Sequence, residues 1–400
     1  MARHNVPSGA SALDGLNRQL LDGTLHLTFQ GPQGYLRSLL KALGVPIESQ
    51  LLVFSKTSGQ ASRISPENPR ALYFSDSVVV GWVPGGFIEI AGADSGGSLV
   101  FCTLEQALTQ RPVLGQHTSC LGCHAMYANG RVAQMVVRSV FPASDGTPIP
   151  LLGQTFSDHR SRFEKRWGGW YVTGRRAALP HMGNAATGND GVMYSLMSTG
   201  LPNHNSLLGQ LDTSRYLSPY SDIVALLIFD HQMQLSNLIY QLEWQARHPA
   251  GGQGRPAVPV GLDPALSRSQ EFVASVNALV DYLLLVDEQP LIQPVIGSSG
   301  FTETFSSLGP CDRMGRSLRQ FDLKKRLLRY PCSYMVYSSI FDALPRQVKE
   351  AVYYRMWQVL SGKLRGGVYD RLSIGDRSAV IDILRDTKTD LPGYFVPITH

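Results

Sequence analysis

The sequence contains no apolar run of the roughly 18 residues that a membrane-spanning helix requires. Its opening Met1-Ala2-Arg3-His4-Asn5 has no apolar leader core. Cysteine is scarce: five in 400 residues, of which Cys102, Cys311 and Cys332 stand alone. With no second cysteine pair, a structural zinc site built from two paired clusters is disfavoured. Charged residues make up only 17% of the chain against 43% hydrophobic, so it is globular and not disordered. The net charge is +5, and no dense Lys/Arg stripe alternates with aromatics, which sets nucleic acid aside as a partner.

Against that scarcity, one constellation stands out: Cys120-Leu121-Gly122-Cys123-His124. Cys-x-x-Cys-His is the attachment signature of c-type haem. Two thiols one helical turn apart add to the two porphyrin vinyl groups, and the adjacent histidine becomes the proximal iron ligand. At this composition the pattern arises by chance only about 0.002 times in such a chain. A thioredoxin-like dithiol would follow a strand in a βαβ unit, and no such pattern surrounds residue 120. The expected cofactor is therefore one covalent haem c held by Cys120, Cys123 and His124. A single copy of the motif excludes two-haem peroxidases. Covalent attachment takes place outside the bacterial cytoplasm, so a periplasmic or otherwise exported location is expected, with a leader absent from this sequence.

The second face of the iron decides between electron carrier and catalyst. Met182, 58 residues after His124, is the first candidate ligand. His181, His159 and His231 are the alternatives. Each also has a plain reading. Methionine often fills core gaps, and a histidine beside an aspartate, as in Asp158-His159 and Asp230-His231, is often only hydrogen-bonded. The dense run Arg160–Tyr171 offers Arg166, Trp167 and Trp170 for haem propionates and the porphyrin plane. The plain alternative is a tight turn with an aromatic core plug. If the protein is an enzyme, His159, Arg160 or Tyr171 would act as distal acid, base or charge stabiliser. Lys324-Lys325-Arg326 and Arg329 read as a solvated helix face. Cys311 and Cys332 could pair across a 20-residue loop, or Cys332 could be a buried thiol.

Short β-rich runs separated by Gly, Pro, Asp and Ser fall at 51–55, 71–74, 78–83, 87–91 and 99–103, which predicts an antiparallel meander. Residues 1–48 read as loosely helical, with a strand near Leu25–Phe29. Residues 141–200 read as irregular wrapping. Helices are expected at about 221–247, capped by Ser221 or Asp222, and at about 263–288, 317–330, 345–361 and 375–386. A Gly/Pro-rich stretch, Pro249–Gly261, separates the first two. The expected fold is mainly α with a small antiparallel β element near the N-terminus. A cytochrome c-like haem region would lie within a larger helical chain. The expected regions are 1–115 (β meander), 116–250 (haem c) and 251–400 (helical).

Segments Glu48–Pro66, Arg70–Gly86, Cys120–His124, Arg166–Gly174, His181–Asn184, Ser221–Gln232 and Phe321–Pro345 resemble a family of large exported bacterial proteins described only as cytochrome c-like. The likeness is most specific in Arg166-Trp167-Gly168-Gly169-Trp170-Tyr171-Val172-Thr173-Gly174. It implies export, one covalent haem through Cys120 and Cys123, and His124 as ligand. Members of that family have a Ser-Pro pair after the Asp-His, and a histidine soon after the Trp-Gly-Gly-Trp run. This chain has Arg160-Ser161-Arg162 and Arg175-Arg176 there. The expected function is a monohaem c-type cytochrome in electron transfer. A haem c enzyme, peroxidase-like or a small-molecule oxidase, and a docking subunit of a larger electron-transport complex are the alternatives. Its partner would be a redox protein or a small-molecule substrate.

Overall fold

The computed structural model describes residues 12–94, 97–109, 112–116, 124, 132–175, 179–196, 204–248 and 269–397. Its centre is an antiparallel meander, β1 (Leu51–Val53), β2 (Arg70–Phe74), β3 (Val78–Trp82), β4 (Ile88–Ala93), β5 (Leu99–Leu104) and the two-residue β6 (Gly115–Gln116), paired in that order. Alternation along each strand assigns its side chains to two faces. Leu52, Ala71, Tyr73, Val80, Ile90 and Cys102 enter one core. Leu51, Val53, Leu72, Phe74 and Leu99 enter another, with Phe101 packed on its edge.

Two helices cover the first face, α1 (Ala12–Asp22) and α2 (Leu36–Ala42), through Leu13, Leu16, Leu20, Leu36, Leu39 and Leu40. The second face carries the larger helical layer. It contains α3 (Ile223–Arg247), α4 (Gln270–Leu283), α5 (Phe301–Ser307), α6 (Ser339–Asp342), α7 (Arg346–Leu360) and α8 (Ile374–Thr387). Residues Ile223–Met233 are buried on every side of α3, which makes it the central helix of that layer. It packs on α4, α5, α6 and α7. The Asp222 side chain caps α3 by accepting from the Val224 and Ala225 amides, while its second oxygen accepts from Ser298 and Ser299.

Two short hairpins, β7 (Arg138–Val140) with β8 (Gln154–Phe156) and β9 (Ala185–Thr187) with β10 (Met193–Ser195), occupy part of the stretch read as irregular. Strands are short and set by turns there, so no long alternation marks them in the sequence.

The architecture corrects the expectation of a mainly α chain. Helix takes 37% and strand 16% of the described residues, an α+β arrangement with the meander as a central wall. Two local readings differ as well. Residues 317–330 are a chain of turns and not a helix. The Asp322 carboxylate accepts from the backbone amides of Lys324 and Lys325, and Leu323 takes a positive φ of 53°, so the helix ladder cannot form. Residues 25–29 form no strand. Among the described residues, Cys311 is an exposed free thiol and Cys332 a buried one.

Candidate functional site

His124 is the one member of the haem motif within the described residues; Cys120 and Cys123 lie outside them. Its ring packs on Phe101 of β5 with centroids 4.4 Å apart. Its Nδ1 is 2.6 Å from the Gln134 carbonyl oxygen. A carbonyl only accepts, so Nδ1 carries the proton and a neutral ring keeps its lone pair on Nε2. Burial lowers the His124 pKa, which keeps the ring neutral near pH 7, the Gln134 carbonyl and Glu89 acting in the opposite sense. This tautomer is the one a metal-ligating histidine adopts when a backbone carbonyl orients it. The Arg70–Glu89 ion pair lies close enough to act on the ring, and it crosses β3 over Gly81. A Cβ at Gly81 would sit 2.5 Å from the Arg70 guanidinium, so a side chain there would push the guanidinium aside.

The remaining candidates gather elsewhere. Asp230 and His231 sit on the buried flank of α3. His159 reaches His231 across the interior, Nδ1 to Nδ1 at 2.6 Å, and one shared proton makes that a hydrogen bond. Both rings stack with Tyr282 of α4, His159 at 3.8 Å and His231 at 5.3 Å between centroids. His231 Nε2 lies 2.7 Å from Ser333 Oγ. Arg166 is 1% exposed; it donates to the His159 and Ser161 carbonyls and faces Asp230 at 3.5 Å. The Trp167 indole N–H donates to the same Asp230 oxygen at 3.0 Å. Arg160 pairs with Asp158, and its guanidinium carbon lies 5.0 Å from the Tyr282 ring centroid.

Burial governs the charges in this cluster. It pushes His231 down to about 3 and His159 well below its usual value, so both are neutral at pH 7. It pushes Asp230 up to about 7, with Arg166 and the Trp167 N–H pulling the other way. His159 Nε2 and Asp230 Oδ1 are buried with no protein partner, the arrangement that internal water satisfies. Two imidazoles at 2.6 Å bond each other, and no group of three or more His, Cys, Asp or Glu among the described residues forms a metal cage.

His181 has the opposite tautomer from His124. Its Nδ1 accepts from the Gly183 amide at 3.0 Å, which leaves the ring proton on Nε2. The ring stands edge-on to Trp167 at 5.4 Å. Met182 lies against Gly168, its Sδ 3.8 Å from Ser139 Oγ. Trp170 donates to the Arg138 carbonyl at 2.7 Å, and Tyr171 to that of Pro66 at 2.8 Å. The two glycines of the Trp-Gly-Gly-Trp run press against backbone and a small side chain. A Cβ at Gly168 would be 2.1 Å from the Val140 carbonyl, and one at Gly169 2.5 Å from Ser55 Cβ. Sequence reasoning missed Tyr282 and Ser333. Nothing in an amphipathic helix or a buried Ser-Tyr pair marks them, because their partners lie 50 or more positions away.

Comparison with protein-family models, with curated proteins and with solved structures finds no match to this chain. No helix among the described residues is long and apolar enough to cross a membrane.

Proposed function

We propose that this protein is an exported monohaem c-type electron-transfer protein, with haem joined to Cys120 and Cys123 and His124 as iron ligand. The observation that carries the reading is the motif joined to the His124 tautomer. The Gln134 carbonyl holds Nδ1–H and leaves the Nε2 lone pair for a metal. A covalent haem supplies one-electron redox chemistry at its iron. The chain's part is to orient His124, to exclude water with Phe101, and to set the local field with the Arg70–Glu89 pair. Among the candidates for the opposite ligand, His231 is bonded through both ring nitrogens, His159 through Nδ1 alone, and His181 Nδ1 accepts from Gly183. The Met182 thioether has only a weak sulfur contact to give up.

The test is expression with a leader in a host competent in cytochrome maturation. Haem should survive denaturation on the wild-type chain and be lost from a Cys120→Ala/Cys123→Ala variant. The spectrum should be low-spin in both redox states, and Met182→Ala should convert it to high-spin. A colourless wild-type protein from such a host overturns the haem assignment. A high-spin iron that binds cyanide overturns the carrier role in favour of a haem enzyme.

A further inference from the structure

A cleft of about 320 Å³ opens where the β2–β3 turn meets α5, on the side of the sheet that carries the larger helical layer. One wall is apolar: Phe74, Phe301, Phe305 and Leu308. Its three rings pack in a row with only their edges reaching the cleft, centroids 5.6 Å apart for Phe74–Phe301 and 5.5 Å for Phe301–Phe305. The polar wall is Asp76, Gln232 and Arg319. Gln232 is already committed, its amide donating to the Ser75 carbonyl at 2.6 Å and accepting from the Tyr334 hydroxyl at 2.7 Å.

Arg319 is the unfinished group. It is 4% exposed, and its guanidinium carbon lies 4.8 Å from the Phe305 centroid and 4.5 Å from that of Tyr334. Only Nη2 meets a side-chain acceptor, the Asp76 carboxylate, while Nε and Nη1 are buried without one. A guanidinium has five donors and cannot shed its charge, so burying it with positions unmade is costly. Asp76 sits on a turn with its side chain 32% exposed, so it can leave Nη2 for solvent.

We propose that this cleft is a binding site for a small aromatic carboxylate. Its ring sits against Leu308 at the mouth and the exposed edges of Phe74, Phe301 and Phe305, and its carboxylate displaces Asp76 from Arg319. A monoanion suits a single guanidinium; a phosphate dianion beside Asp76 does not. The volume matches a one-ring ligand, and Leu308 at the rim offers the most exposed apolar surface. The site stands independently of the haem reading.

The experiment is calorimetric titration of the protein with phenylacetate, 2-phenylethanol and inorganic phosphate, with folding of every variant checked by circular dichroism. Phenylacetate should bind saturably at one site and at least about tenfold tighter than the alcohol. Asp76→Ala removes the competing carboxylate and should tighten phenylacetate about fivefold or more, a gain that a purely structural ion pair would not give. Leu308→Trp, at a position 60% exposed on the rim, should weaken it about tenfold by filling the mouth. If Asp76→Ala does not fold, Leu308→Trp and the alcohol comparison decide. The proposal is overturned if phenylacetate does not saturate, if the alcohol or phosphate binds as tightly, or if a folded Leu308→Trp leaves affinity unchanged.

Discussion

A histidine pair sealed inside a protein makes pH a probe of single side chains. His231 contacts His159 on one nitrogen and Ser333 on the other, so truncating it leaves two buried polar groups unsatisfied as well as a void. His231→Ala should cost about 3 kcal/mol in urea unfolding at pH 7. The pH dependence has a definite sign. The folded chain keeps His231 neutral down to about 3, whereas the unfolded chain takes up a proton below the ordinary value of 6.5. Protons therefore bind the unfolded state preferentially in that window, and this contribution to stability is lost as pH falls from 6.5 toward 3. Asp230, raised to about 7, acts oppositely, because its folded form holds a proton that the unfolded form releases. A wild-type profile alone would mix the two. Comparison with His231→Gln isolates the histidine: the gap between wild type and variant should narrow by about 2 kcal/mol between pH 7 and 4.5. A gap that stays constant would mean that His231 takes up a proton in the fold as readily as in the unfolded chain.

At the scale of elements, the Trp-Gly-Gly-Trp turn is a clamp between β1 and β7. The Gly169 carbonyl accepts from Phe54 and Ser55, and the Gly168 carbonyl from Val140. Trp167 and Gly169 both hold positive φ, 64° and 87°. Gly168→Ala drives a methyl into the Val140 carbonyl and should cost about 4 kcal/mol or prevent folding, as read by thermal unfolding. Asp222→Ala releases four backbone amides at once, Val224, Ala225, Ser298 and Ser299, and should cost about 2–3 kcal/mol by the same measurement. The cap and the meander are legible in the sequence because their signals are local: an aspartate before an apolar run, and alternation cut by Pro84-Gly85-Gly86. What is not legible is whatever depends on distant partners. The Asp322 carboxylate turns a helical-looking basic run into turns, and His159 meets His231 across 72 positions. The aromatics and glycines of the Arg166–Tyr171 run suit both a porphyrin and a tight crossing of backbones, and the residues they pack on or bond to, Val140, Ser55 and Asp230, come from three other segments.

For the whole molecule, the meander is a wall shared by two cores, and the larger core recruits residues from almost the full chain. Its buried members run from Leu51 and Phe74 on the sheet, through Trp167 and Phe229, to Leu279, Val352 and Phe395. Phe74 and Phe229 meet at 5.1 Å, and Phe74 and Phe301 at 5.6 Å, so sheet, central helix and C-terminal layer touch at one residue. The Gly/Pro-rich stretch 249–261 interrupts the sequence between α3 and α4, yet those two helices pack together. A chain cut there should therefore not come apart. With a protease site introduced at Gly254 and then cleaved, the two fragments should co-elute at the size of the intact protein and separate only in denaturant. Separating them would expose apolar faces of α3 and α4, at roughly 25 cal/mol for every Å² returned to water. Fragments that part in native buffer, each still folded, would show that the sheet and the C-terminal helices hold separate cores.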